Sequence, residues 1–235
     1  MIAANNPDLE SWLDVPENSD FPIQNIPFGV FKTNNTPPRV ATVIGETVID
    51  LAKLQELGYL DEINLPKGVF QQNTLNEFLK LGKKTWRAVR NRISELFDEQ
   101  NDELQEQEDH QDSMLHYAKK CQMLMPVKVG DYTDFYSSIE HATNLGTMFR
   151  GKDNALMPNW LHLPVGYHGR ASSIVISGTD IRRPKGQQMP AGSEAPVFGP
   201  SKLLDIELEM AFVTGQGKPL GHSISTAEAE DYIFG

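Results

Sequence analysis

The feature that most constrains the fold is a change in residue usage near Cys121, which divides the sequence into two unlike halves. Before it, two short β patterns are followed by apolar residues at helical spacing. After it, proline, glycine, aromatic and β-branched residues dominate, which is typical of β-rich domains with long ordered loops. We therefore predict two domains, residues 1–124 and 125–235, that are mainly β with some α-helix.

The first half begins with strand patterns. The first sixty residues alternate short apolar runs with turn residues. Residues 27–31 and 39–50 are predicted strands, and the second is bent into a hairpin at Gly45 and Glu46. Asp50 then begins a short helix. We expect both strands and the hairpin in the N-terminal domain.

A longer helix is predicted after Asn73, where Thr74 and Glu77 have the spacing of a capping box. Gly82 weakens or divides this helix, because glycine is a poor helix former. The apolar positions fall on one helical face and predict its core contacts: Leu75, Phe78, Leu79, Trp86, Val89, Ile93 and Leu96.

Residues 98–112 contain eight acidic residues and no Lys or Arg. Such a run is typical of a solvated connector that does not pack, and it includes His110, with His116 at its edge. An acidic patch that binds a partner is the alternative interpretation.

Three strands are predicted in the second half, at residues 123–129, 173–177 and 204–213. In the last of these, apolar residues alternate with Asp205, Glu207 and Glu209, which places the three acids on one face. Two carboxylates at this spacing can converge on one divalent cation with oxygen ligands, as Mg²⁺ and Ca²⁺ prefer. The simpler alternative is a strand with one face in the core and the other in water.

Asp131 and Asp134 are the candidates for a third oxygen ligand, although Asp is also common in turns and helix caps. Tyr132, Phe135 and Tyr136 could form the walls of a small-molecule pocket or simply lie in the core.

Among the histidines, His141 could accept a proton from water, since its ordinary pKa lies near neutrality, or it could be structural. His162 and His168 have weaker cases because neither has an acid nearby in sequence. Arg150 and Tyr167 could reach an anionic ligand. Cys121 is predicted to lie in an apolar strand as a core residue.

Composition excludes several classes. The formal net charge of -11 argues against nucleic acid binding. No apolar run is long enough to span a membrane, and the N-terminus does not resemble a secretory signal. A single cysteine excludes disulfides and cysteine-rich zinc sites, so we expect a reduced, cytoplasmic protein.

Five segments together closely resemble the fumarylacetoacetase family, and the resemblance is dense over residues 126–235 and looser before them. The segments are DYTDFYSS at 131–138, HATN at 141–144, MFRGK at 148–152, PNWLHLPVGYHGR at 158–170 and LDIELEM at 204–210. The resemblance implies a small SH3-like N-terminal barrel, followed by a catalytic domain with a mixed β-sandwich roll. It also implies a homodimer for the full-length protein.

The resemblance also implies a role for each matching residue. Asp134, Glu207 and Glu209 match ligands of a divalent cation, Ca²⁺ or Mg²⁺, and His141 matches the catalytic base. Tyr136, Arg150 and Tyr167 match residues that bind the substrate. That substrate is a β-diketo acid, 4-fumarylacetoacetate, which is hydrolysed to fumarate and acetoacetate in tyrosine and phenylalanine catabolism.

Family members continue past the position that matches Gly235, where the resemblance implies a fourth metal ligand and further catalytic groups. We therefore expect the catalytic domain to be incomplete, and this chain alone to bind metal weakly and to have little activity. Two alternatives remain: a non-catalytic fragment that binds a complementary chain through an unfinished sheet edge, and a related keto-acid decarboxylase or isomerase.

Overall fold

The computed structural model describes residues 2–235. These residues form two compact units. The first contains the chain up to Val127 together with Ile176–Gly235, and the second is Lys128–Val175. Within residues 2–235, none of the helices combines the length and hydropathy that a bilayer-spanning segment requires. The division predicted between residues 124 and 125 stays a prediction.

The first unit is organised around a five-stranded antiparallel sheet. Its strands are β1 (Phe28–Lys32), β2 (Arg39–Ile44), β3 (Thr47–Asp50), β4 (Leu115–Tyr117) and β5 (Gln122–Leu124), in the order β4-β3-β2-β1-β5. The predicted hairpin is confirmed, because β2 pairs with β3 and Val43 lies opposite Val48. Gly45 permits the turn, since its φ of +56° lies in the left-handed region.

This sheet is strongly curved. Neighbouring strands are about 4.8 Å apart, so β1 and β4, three positions apart, would be separated by roughly 14 Å in a flat sheet. Instead, the ring centroids of Phe31 on β1 and His116 on β4 lie 5.3 Å apart. Phe31, Ala41 and Val48 are buried together on this face, and the half-buried Cys121 packs against them. Cys121 precedes β5 and does not lie in a strand, contrary to the prediction.

The other face of the sheet packs against helices in a larger core that includes Val30, Val40 and Ile44. Helix α1 begins after Asp50 as predicted, because the Asp50 carboxylate accepts hydrogen bonds from the amides of Ala52 and Lys53. The helices of this unit are α1 (Leu51–Glu56), α2 (Asn76–Leu79), α3 (Gly82–Leu96), α4 (Asp102–Gln105) and α5 (Glu108–Met114), with 3-10 turns at Ala3–Asn5, Val69–Gln71, Ala118–Lys120 and Ala229–Tyr232.

The predicted long helix is divided at Gly82 into α2 and α3, and all its predicted core positions are buried. The predicted capping box of Thr74 and Glu77 does not form. Helix α2 begins two residues after Thr74, and no side chain caps it. The amide of the buried Leu75 donates instead to the Pro126 carbonyl at 2.8 Å, so contact with a distant segment determines where the helix begins.

Two glycines in left-handed conformations offer a matched test of the first unit. At Gly82, with φ of +80° and no atom near an added Cβ, alanine should cost about 1–2 kcal/mol in free energy of unfolding. At Gly45 an added Cβ would overlap the carbonyl oxygen of Asp14, so alanine should cost about 1–3 kcal/mol more. Urea denaturation of both variants measures the difference, and equal losses would contradict the proposed close approach.

The acidic run does pack in part, contrary to the prediction. Residues 98–112 include helix α4 and most of α5, and Leu104 is completely buried in the core. His110 lies in α5, where its Nδ1 is 2.7 Å from the Tyr59 hydroxyl. The acidic side chains face water, as expected, because the buried residues between them anchor only one side of each short helix.

The second unit contains strands β6 (Thr133–Phe135) and β7 (Gly166–His168), helix α6 (Ile139–Arg150), and 3-10 turns at Lys152–Asn154 and Ala171–Ser173. Strands β6 and β7 form an antiparallel ribbon. The rest of the first unit contains a second two-stranded ribbon, β8 (Lys185–Gln188) and β9 (Val197–Pro200).

Two of the strands predicted in the second half are wrong, and the third is shorter than predicted. No strand occurs within residues 173–177 or 204–213, and of 123–129 only the first two residues lie in β5. Ile206, Leu208 and Met210, expected in the core, are 91%, 100% and 97% exposed. A strand needs a neighbour for its backbone amides and carbonyls, and within the described chain only Val213 at the end of this segment has one, at Phe234 and Gly235.

Candidate metal and substrate site

Three side chains meet on one face of the β6–β7 ribbon. Alternation along the strand places Tyr132 and Asp134 on the same face, and the register places Tyr167 opposite Asp134. The hydroxyl of Tyr167 donates to Asp134 Oδ2 at 2.8 Å, and that of Tyr132 donates to the same oxygen at 3.2 Å. A predicted metal ligand and a predicted substrate residue therefore lie in contact.

The opposite face of the ribbon holds a pair that sequence reasoning missed. His168 Nε2 lies 3.2 Å from Asp131 Oδ1, although 37 positions separate the two residues in sequence. The ribbon register explains the contact, because His168 pairs with Thr133 and Asp131 is the next residue on that face. Pairing the two strands was the only signal that could have identified it.

Tyr136 and His141 lie close together at the start of α6. Ser138 is the N-cap, and its hydroxyl accepts a hydrogen bond from the His141 amide at 3.2 Å. The rings of Tyr136 and His141 meet edge to face with centroids 6.4 Å apart, and the ring of Trp160 is tilted against that of Tyr136 at a centroid distance of 6.1 Å. The imidazole of His141 is solvent-exposed, so water can reach it.

Arg150, in the last turn of α6, holds the loop that follows. Its Nε donates to the Asn154 carbonyl at 3.1 Å, and an Nη atom donates to the Ala155 carbonyl at 2.7 Å. Gly146 allows this approach, because a Cβ there would overlap the same Ala155 oxygen. The guanidinium remains exposed, but its role as a substrate ligand stays a prediction.

A cavity of about 360 Å³ opens beside Tyr136 in the second unit, within the usual size range for small-ligand sites. Trp160 contributes a buried indole N–H for which residues 2–235 provide no acceptor. Such a donor can orient a ligand oxygen. The lining residues are Phe135, Tyr136, Ser137, Trp160, Leu161, His162, Leu163, Pro164 and Val165.

Glu207 and Glu209 belong to the first unit, in the irregular segment that replaces the predicted strand. Both side chains are solvent-exposed, as is Asp205 beside them. Neither glutamate has an ion-pair partner among the described residues. Their carboxylates contribute no packing to the core of this unit.

No group of three or more His, Cys, Asp or Glu side chains in residues 2–235 is arranged to hold a metal ion. The predicted ligands nevertheless have the right chemistry for Ca²⁺ or Mg²⁺, which bind carboxylate oxygens. Asp134 fits this role in particular, since both phenol donors use Oδ2 and leave Oδ1 without a donor in the described chain. The ligand set of Asp134, Glu207 and Glu209 stays a prediction.

A cluster of ionisable side chains lies in the curved sheet of the first unit. Asp50 is almost completely buried and pairs with Arg39 at 2.9 Å. Burial raises the pKa of Asp50, and the nearby Arg39 opposes that rise. His116 on β4 belongs to the sheet and not to the solvated edge that the sequence predicted. Burial lowers the pKa of His116, and its Nε2 has no partner within residues 2–235.

Because the folded-state pKa of His116 is lowered, its contribution to stability is present at neutral pH and is lost as pH falls below about 6.5, its ordinary value. His116→Phe keeps the ring contact with Phe31 but cannot titrate. We expect the free energy of unfolding to fall less between pH 7 and pH 5 in this variant than in the unmodified chain. Denaturant titrations between pH 7 and pH 5 measure this fall in the free energy of unfolding, with Tyr117→Phe as a control on the same strand. An equal fall in His116→Phe and in the unmodified chain would contradict the expectation.

Comparison with known proteins covers both halves of the chain. Residues 24–126 match the family model described as fumarylacetoacetase N-terminal, and residues 132–235 match fumarylacetoacetate (FAA) hydrolase C-terminal. The two matches define a class of protein in which a fumarylacetoacetase-type N-terminal domain precedes a hydrolase-type C-terminal domain. The chain belongs to the fumarylacetoacetase family.

The similar curated proteins are named fumarylacetoacetase. Those of Rattus norvegicus and Homo sapiens are each 48% identical over 226 residues, which is 96% of this chain and 54% of the relative. That of Caenorhabditis elegans is 49% identical over 229 residues, 97% of this chain and 55% of the relative. The chain thus spans about half the length of the curated relatives it matches.

Proposed function

We propose that the chain is part of a fumarylacetoacetase, which hydrolyses 4-fumarylacetoacetate to fumarate and acetoacetate in tyrosine and phenylalanine catabolism. The observation that carries this proposal is the similarity to fumarylacetoacetases, which extends over 96% of the chain and through both matched domains. The contact between Asp134 and Tyr167 supports it further, because a metal ligand and a substrate residue are expected to be neighbours.

The proposal includes the finer features of the fold. The curvature of the five-stranded sheet supports an SH3-like barrel in residues 1–124. Residues 125–235 would be the first part of a mixed β-sandwich roll. The exposed apolar side chains of residues 204–212 support this, since a roll would give them strand neighbours and cover them. A homodimeric full-length protein and a cytoplasmic location stay predictions.

Asp134, Glu207 and Glu209 would hold the divalent cation, Ca²⁺ or Mg²⁺. When bound, the cation would supply Lewis acidity that polarises a ketone oxygen of the β-diketo acid. The two phenols on Asp134 Oδ2 would keep this carboxylate in place while its other oxygen stays available.

His141 would act as the general base. Its imidazole would accept a proton from water, whose oxygen would attack the ketone carbon of the fumaryl group. The bond between this carbon and the neighbouring methylene carbon would then break, which gives fumarate. The proton would return to that methylene carbon, which becomes the methyl group of acetoacetate. Tyr136, Arg150 and Tyr167 would bind the negatively charged substrate. The ring of Tyr136 also meets the His141 imidazole edge to face.

Product analysis tests the proposed activity directly. This chain, and a version extended to the length of its relatives, are incubated with 4-fumarylacetoacetate and Mg²⁺ or Ca²⁺, with EDTA as the metal-free control. We expect equal amounts of fumarate and acetoacetate from the extended protein and little product from this chain. Release of CO₂, or an isomer of the substrate, would instead indicate the related keto-acid chemistry and contradict hydrolysis.

A second candidate function, binding of a complementary chain without catalysis, is favoured by one observation. The alternate apolar side chains Ile206, Leu208 and Met210 are almost fully exposed, which is typical of a strand without its neighbour. Light scattering at several concentrations tests self-association through this segment. Absence of product under all metal conditions, together with stable association, would favour this candidate over the enzyme.

A further inference from the structure

Tyr132 has an unusual position relative to Asp134. Its hydroxyl and that of Tyr167 both donate to the Oδ2 atom, at 3.2 and 2.8 Å. Two donors on one oxygen restrict rotation of the carboxylate far more than one donor would, because each fixes a separate direction. Tyr132 and Asp134 are half-buried, whereas Asp131 and Thr133 on the opposite face are exposed.

The backbone and a glycine hold the Tyr132 ring in this position. The Gly169 amide donates to the Tyr132 carbonyl at 2.7 Å, which extends the β6–β7 pairing by one step. A Cβ on Gly169 would overlap the Tyr132 ring, so the ring lies directly against the glycine backbone. Any larger residue at position 169 must therefore move the ring and its hydroxyl.

We propose that Tyr132 is a positioning residue that fixes the Asp134 carboxylate so that Oδ1 is presented to the divalent cation. The backbone of Gly169, against which the Tyr132 ring packs, holds Tyr132 in place. This inference rests on the proposed function for the identity of the cation site. It assigns Tyr132 a role that neither the residue pattern nor the family resemblance assigned. Tyr167, through the same contact, both positions Asp134 and stands next to the substrate.

The test uses the whole chain with Tyr132→Phe, which removes only the hydroxyl, and Gly169→Ala, which moves the ring but keeps the hydroxyl. Tyr117→Phe, which removes a hydroxyl on β4, is the control. NMR three-bond couplings of Asp134, measured without metal, report whether the carboxylate side chain keeps one rotamer. We expect one rotamer in the unmodified chain and the control, and averaged couplings in both test variants.

Calorimetric titration with Mg²⁺ and with Ca²⁺ then measures affinity in the same variants of the protein extended to the length of its relatives, because this chain alone is expected to bind metal weakly. We expect both test variants to bind about 10–100-fold more weakly, the usual effect of losing a group that orients a metal ligand, with thermal midpoints near that of the control. A purely structural role would lower the thermal midpoint without weakening binding by the folded protein.

The outcomes separate this inference from the proposed function. Couplings in Tyr132→Phe that match the unmodified chain, or an unchanged affinity, overturn the positioning role. Averaged couplings together with no metal binding by any extended protein, the one without substitutions included, support the positioning of Asp134 and count against its proposed role as a cation ligand.

Discussion

Glu207→Ala, in a protein extended to the length of its relatives, is expected to lower metal-dependent hydrolysis by roughly 10³-fold or more, because a bound cation supplies several kcal/mol of transition-state stabilisation. The fold should survive, since the Glu207 side chain is exposed and makes no core contact. Initial rates of acetoacetate formation against Mg²⁺ concentration measure the effect, with circular dichroism to check folding.

Asp205 is the matched control for this experiment. It lies two residues away in the same exposed segment, carries the same charge, and is not among the predicted ligands. Asp205→Ala should therefore retain activity within a few-fold. Turnover at the unmodified rate by Glu207→Ala would contradict the role of Glu207 as a metal ligand. An equal loss of activity in Asp205→Ala would show that the negative charge of the segment, and not ligation by Glu207, explains the effect.

His141→Ala is expected to reduce the catalytic rate about 10²–10⁴-fold, the usual contribution of a general base. The variant should keep its helix, because Ser138 accepts its hydrogen bond from the backbone amide of residue 141 and not from the imidazole. Metal affinity should be unchanged, since His141 is proposed to act on water and not on the cation. Rate measurements and calorimetry on one preparation test both statements.

His222 provides the control for the loss of an exposed imidazole elsewhere in the chain. His222→Ala is expected to keep the rate of the unmodified protein. If His141→Ala weakened metal binding as strongly as it lowered the rate, His141 would be a ligand or a structural residue. The assignment of the base would then be wrong.

Sequence patterns predicted the first unit well where the interacting residues are close in the chain. The hairpin at Gly45 and the buried face of α3 depend on local periodicity and on one glycine turn. Thr74 shows the limit of such reasoning, because the start of α2 depends on the Leu75 amide bonding to Pro126. Leu104 shows the same limit, because its burial in the core anchors part of a run most of whose other side chains face water.

The second half was predicted less well for a physical reason. The alternating pattern of residues 204–213 forms a strand only if a neighbouring strand hydrogen-bonds to its backbone. The described chain provides no such neighbour for residues 204–212. Within the candidate site, the register that joins Asp134 to Tyr167 and Asp131 to His168 is a long-range property. Residue type and spacing identified Asp134 and His141 as candidates and suggested that Arg150 and Tyr167 reach an anionic ligand. The substrate-binding roles of Tyr136, Arg150 and Tyr167 came from the family resemblance.

The most direct test of the central claim is a crystal structure, grown with Ca²⁺, of the protein extended to the length of its relatives. We predict one cation bound at about 2.3–2.6 Å by carboxylate oxygens of Asp134, Glu207 and Glu209. His141 should lie beside this cation without ligating it. A cation bound at other residues, or these three carboxylates on separate parts of the molecule, would contradict the proposed site.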